Sequence, residues 1–172
     1  MFNSRRTFFR VALSIVLPPL LGLTACGFRL RGTVSIPYKT VFITGQPSPQ
    51  LKTALERTIA IGTNSIVVFG PKDADLIVDI ISEENSRQIL TYTSSGQISA
   101  FRLTAKVTFR AFDRTGDDVM PESEIYVIRD LDFTTATVLA ADIQQQQFLE
   151  SMRSDLALQI LRRIATLGRV SK

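Results

Sequence analysis

Cys26 is the only cysteine of this chain, and it follows directly on Leu23-Thr24-Ala25. Ahead of it stand a basic start with Arg5, Arg6 and Arg10 and an apolar run from Val11 to Leu23. Small residues placed between such a run and a cysteine make the pattern of a bacterial lipoprotein export signal. The chemistry expected there is diacylation of the Cys26 thiol, cleavage of the peptide before it, and acylation of the freed amino group. Two or three acyl chains, at about 0.8 kcal/mol per buried CH₂, hold a protein durably at a membrane, whereas one chain is marginal. Residues 1–25 are therefore expected to be a signal peptide, 26–37 a lipidated tether and 38–168 a single domain. Gly27 follows the cysteine, where the sorting rule of enterobacterial lipoproteins reads Asp as retention in the inner membrane. Gly permits passage to the outer membrane. Ser4-Arg5-Arg6-Thr7-Phe8-Phe9-Arg10 also resembles a twin-arginine export motif, so the export route stays open between the two pathways.

Other chemistry is restricted by what is missing. The chain has no histidine, so hydrolases that use imidazole as base, orienter or metal ligand have no such group here. Neither a metal site nor a cofactor site is expected. The neighbouring carboxylates Asp73/Asp75, Glu83/Glu84 and Asp117/Asp118 lack the dense oxygen spacing of a calcium loop and are read as turn and surface groups. With three of the 20 basic residues and none of the 16 acidic ones in the signal, the exported part carries 17 − 16 = +1. That balance argues against a nucleic-acid partner. With its one thiol acylated the domain forms no disulfide, and packing alone must hold it. The remaining constellation is a basic row: Arg102, Lys106 and Arg110 recur at spacing four within an alternating segment, with Thr104 and Thr108 between them. On a strand this sets neighbouring basic heads about 13 Å apart along one exposed face, ready for charge-assisted hydrogen bonds to anions. Arg87 joins the row if the register of the neighbouring strand brings it to the same face.

The elements that must position these residues follow from periodicity. Thr40 to Thr44 reads as a strand; Ser48-Pro49 caps a helix in which Leu51, Leu55 and Ile59 recur at spacing four. Ser65 to Phe69 is a second strand, giving a strand-helix-strand unit. Leu76 to Ile81 begins a long strand extending toward Tyr92 or Thr93, and Ser94-Ser95-Gly96-Gln97 is turn chemistry. From Phe101 apolar and polar residues alternate to Ala111, and Ile125, Val127, Leu131 and Phe133 share one parity of a returning strand. A helix spans about Ala136 to Leu167, with Leu149, Met152, Leu156, Ile160 and Ile164 as its apolar stripe and Gln144 to Gln147 on a solvated face. The expected fold is an α/β (α+β) two-layer sandwich, an approximately four-stranded mixed sheet with both helices on one face.

The order of these elements resembles the LPS-assembly lipoprotein LptE family of Gram-negative bacteria. The matching pieces are Cys26-Gly27-Phe28-Arg29-Leu30-Arg31-Gly32, the Leu51/Leu55 helix, Leu76-Ile77-Val78 and the turn through Thr91-Tyr92-Thr93-Ser94-Ser95-Gly96-Gln97. The C-terminal helix matches through Leu139-Ala140-Ala141-Asp142 and Met152-Arg153-Ser154-Asp155-Leu156. The resemblance implies a non-enzymatic plug and assembly partner of an outer-membrane β-barrel, LptD, that contacts lipopolysaccharide (LPS) on its way to the outer leaflet. It also implies an outer-membrane protein anchored by lipid, on the periplasmic side and within the barrel lumen. On that reading Arg87, Arg102, Lys106 and Arg110 are the residues expected to meet LPS or the barrel. Two other readings compete: a free periplasmic lipoprotein binding a small or lipidic ligand, and a carboxylate-based glycosidase needing two carboxyl groups about 5–9.5 Å apart across a cleft.

Overall fold

The computed structural model describes residues 34–132 and 138–167, the last segment from Ile143 onward with its side chains. The signal peptide, Cys26 and Phe133 lie outside the described residues, as do Ala136 and the side chains of Leu139-Ala140-Ala141-Asp142. Strand β1 is Thr40–Gly45, helix α1 Pro49–Gly62, β2 Ile66–Val67, β3 Leu76–Tyr92, β4 Ile98–Asp113, β5 Asp118–Asp132 and helix α2 Val138–Leu167. The five strands form one sheet in the order β2-β1-β3-β4-β5, one more than expected. β1 runs parallel to both β2 and β3, while β3, β4 and β5 form an antiparallel meander. The strand expected over Ser65 to Phe69 shrinks to the two residues of β2, the only ones that pair with β1, at Thr40 and Val41.

Local chemistry sets the boundaries of α1. The Ser48 hydroxyl accepts a hydrogen bond from the Leu51 amide at 3.1 Å, and Pro49 fills the first helical position, where no amide hydrogen is needed. Leu51, Leu55 and Ile59 are buried along one stripe. In α2 Met152, Leu156, Ile160 and Ile164 are all buried, whereas Gln144, Gln146 and Gln147 are exposed. Both stripes join the sheet's inner residues, among them Val41, Ile80, Leu103, Val107 and Phe109, in one continuous core. Among the described residues no helix lies on the other sheet face. Packing also takes in residues read as tether: Ile36 is 1% exposed, its amide donates to Asn64 Oδ1 at 3.1 Å, and Val34 bridges to Thr63.

Two backbone features decide which side chain faces where. Gly45 ends β1 at φ +90°, and a Cβ there would lie 2.2 Å from the Ile80 carbonyl oxygen, so only glycine fits. Beside it the β3–β4 register slips between Ile80 and Ser82, a bulge with Ile81 as the extra residue. Before the bulge the even residues Leu76, Val78 and Ile80 face the core; after it Glu83, Asn85, Arg87 and Ile89 pair with Val107, Ala105, Leu103 and Phe101 on that same face. One inserted residue thus turns over β3 from Ser82 to Ile89, after which the register shifts again around Thr91.

Candidate functional site

The uncovered sheet face gathers the basic row. Arg102, Lys106 and Arg110 share one side of β4, as their parity requires, but none of them stands alone. Arg102 grips Asp130 of β5 through Nε and Nη2 at 2.7 and 2.8 Å, a bidentate fork. Lys106 Nζ lies 3.0 Å from Glu84 Oε2 and 3.5 Å from Glu124 Oε2, bridging β3 and β5. Arg110 Nε lies 2.9 Å from Asp79 Oδ2. Three cations therefore meet four carboxylates, and the middle of the face is paired and slightly acidic instead of basic. The pairing shifts the groups in the expected directions. The Arg102 hydrogen bonds hold the Asp130 carboxyl below its ordinary value, and Asp130 raises Arg102 in return. Hydrogen bonding to Glu84, with Glu124 close by, raises Lys106.

Arg87 does not join this row. The Ile81 bulge sets it opposite Leu103 on the helix-bearing face, where its guanidinium lies 5.2 Å from the Phe101 ring centroid and donates to Gln145 Oε1 at 3.4 Å. The same bulge alters Glu83, read from the sequence as a surface carboxylate. Its side chain is 7% exposed, accepts the Ser48 amide at 2.9 Å and faces Arg153 Nε at 3.5 Å. Glu83 therefore ties β3 to the start of α1 and to α2. The other pairs keep to turns and surface: Asp73 ends a one-turn 3₁₀ helix, and Asp117 and Asp118 border the β4–β5 turn.

The face also carries uncharged side chains, the expected Thr104 and Thr108 among them. Between the paired charges lie Ser82, Ser86, Thr104 and Thr108, none of which has a side-chain partner among the described residues. Glu84, Asn85, Ser86, Thr104 and Lys106 line a shallow hollow of about 460 Å³. On β5 Tyr126 and Ile128, opposite Lys106 and Thr104, are exposed. The β3–β4 hairpin exposes Ile89, Leu90, Tyr92 and Ile98. A larger groove of about 890 Å³ runs between the outer sides of α1 and α2, with Arg57, Glu150 and Arg153 among its lining residues. Among the described residues no group of three His, Cys, Asp or Glu side chains is placed to hold a metal, and no helix is long and apolar enough to cross a membrane.

Comparison with known proteins agrees with this architecture. The family model described as LptE, lipopolysaccharide-assembly, matches residues 38–164. The LPS-assembly lipoprotein LptE of Photorhabdus laumondii is 25% identical over 170 residues, covering 91% of this chain and 89% of that protein. The protein of the same name from Yersinia enterocolitica is 26% identical, over 87% of this chain and 75% of its own length. Among solved structures, lipoprotein B from Nitrosomonas europaea superposes with a TM-score of 0.70 at 28% identity, covering 83% of this chain and 93% of that one. A minor lipoprotein from Acinetobacter baumannii shares the fold, with a TM-score of 0.63 at 23% identity over 76% of this chain and 93% of its own.

Proposed function

Since the chain belongs to the LptE lipopolysaccharide-assembly family, we propose that it is a non-catalytic outer-membrane lipoprotein, anchored through acylated Cys26, that fills an LptD-like β-barrel and contacts LPS there. The observation that supports this reading best is the division of the molecule into a helix-covered side and a broad uncovered sheet face. That face is polar, and each of its three cations already has a carboxylate partner. The lumen of a large outer-membrane barrel is polar too, so such a face lies against it without leaving an unpaired cation. Arg102, Lys106 and Arg110 are the residues we assign to contact with the barrel wall or LPS. Arg87, on the opposite face near the exposed hairpin, sits where an amphiphile would find a cation beside Ile89 and Leu90. β3 is 17 residues long, and at about 3.3 Å per residue it reaches about 55 Å.

The test is the triple variant Arg102→Gln, Lys106→Gln and Arg110→Gln. Exposed ion pairs add little to stability, so the variant stays folded at neutral pH. It leaves Asp79, Glu84, Glu124 and Asp130 unpaired, and the face becomes acidic. Capture of the barrel or of LPS should fall, and added salt should change the size of the loss. A folded variant with unchanged capture of both would remove these residues from the contact face.

A further inference from the structure

Within the reading just proposed, on which this step rests, the open sheet face selects among the parts of an LPS-like ligand: phosphate, sugar or acyl chain. Its seven central charged groups, Asp79, Glu84, Arg102, Lys106, Arg110, Glu124 and Asp130, all satisfy one another. A phosphate arriving at any of the three cations meets at least one carboxylate already in place, and the excess carboxylate repels it. An acyl chain finds polar side chains on every row from Ser82 to Gln88. The unclaimed groups are hydroxyls and amides. Ser82, Ser86, Thr104 and Thr108 have no side-chain partner among the described residues, nor does the amide of Gln88. Glu84 and Glu124, 61% and 53% exposed at their side chains, keep lone pairs free after binding Lys106. Beside them Tyr126 offers an open ring with a hydroxyl at its end.

Acceptors and rotatable hydroxyls in a shallow hollow, with an exposed aromatic ring next to it across Lys106, match a neutral polyol. Sugar hydroxyls donate and accept at once, so they add to the Lys106 network without displacing it, while the apolar side of a neighbouring pyranose covers the Tyr126 ring. We propose that the hollow bounded by Glu84, Ser86, Thr104 and Lys106 is a saccharide site that extends over Lys106 to Tyr126 on β5, and that the uncharged sugars of LPS are the part this face engages.

The probe is a core oligosaccharide freed from lipid A by mild acid and then dephosphorylated, titrated into the detergent-extracted full protein while backbone amide shifts are followed. Saturable shifts should centre on Thr104, Lys106 and Tyr126. Inorganic phosphate at the same concentration should leave these amides unmoved. Tyr126→Ala and Thr104→Val, both on the uncovered face, should each weaken oligosaccharide binding at least tenfold with an unchanged melting temperature. No saturable shift with the wild-type protein, saturation by phosphate at these amides, or unaltered affinity in both variants would overturn the proposal. Intact LPS is titrated in parallel: binding of LPS without binding of the oligosaccharide overturns only the saccharide site. Binding of neither removes the LPS-contact reading beneath it.

Discussion

Glu83 carries more structural weight than any other charged side chain described here. Its carboxylate joins β3, the first residues of α1 and Arg153 of α2 in surroundings that leave 7% of the side chain exposed. Glu83→Ala leaves the Ser48 amide and the Arg153 guanidinium short of an acceptor, which costs about 1–3 kcal/mol for such half-buried donors. A urea melt should register that loss, and an unchanged midpoint would deny Glu83 its role as a tie. Carboxylates on the surface act through pH instead. Asp130 is lowered by the Arg102 hydrogen bonds, Asp75 chiefly by the Thr40 hydroxyl and Asp113 chiefly by the Thr115 hydroxyl. A carboxyl whose folded value is depressed adds stability above its unfolded value, near 3.9 for Asp, and loses it as pH falls through the folded one. Lys106, raised by Glu84 and Glu124, contributes below its unfolded value near 10.4 and ceases to do so as pH climbs through the raised one. With no imidazole in the chain, the melting temperature should stay level between about pH 5 and 8 and fall below about pH 4. Asp130→Asn should flatten part of the acid limb. A step near pH 6.5 would show that another group governs stability.

At the scale of elements, α2 is the lid on the sheet, and its stripe is dry. Leu156 is fully buried, so Leu156→Ala should cost about 2–5 kcal/mol through lost transfer energy and the cavity left behind. Gln146→Ala, on the exposed side, should shift the melt by less than about 0.5 kcal/mol. Equal effects at both sites would mean that the helix turns another face inward. That face was legible in the sequence because its 3.6-residue period runs unbroken from Met152 to Ile164, and the alternation of β4 was clear for the same reason. The distal half of β3 was not legible. A period of two carries a parity forward until a bulge resets it, and Ile81 looks like any other strand residue. The reset accounts for both misread positions, Glu83 turned inward and Arg87 turned away from the basic row. The pairing of Arg102, Lys106 and Arg110 was hidden as well, since Asp79, Glu84, Glu124 and Asp130 come from strands whose register the sequence does not state. On β5 the shared parity of Glu124 and Asp130 was the available signal, whereas on β3 the bulge puts Asp79 and Glu84 at opposite parity.

At the scale of the whole molecule, the account joins a lipid anchor to a domain with one finished side and one side awaiting a partner. Cys26→Ala removes the acyl chains, so without a barrel present the protein should move from the membrane pellet to the soluble periplasmic fraction. Retention in the pellet under those conditions would contradict the anchor. With the barrel present, the uncovered face and the exposed hairpin supply a second attachment, and partial retention is the expected result. The central claim is partnership inside a barrel, and affinity capture of the tagged protein from detergent-solubilised outer membranes tests it most directly. The account predicts recovery of one large β-barrel protein at equal stoichiometry, with LPS in the same eluate. A protein eluting as a lone monomer would contradict it and favour a free ligand-binding lipoprotein.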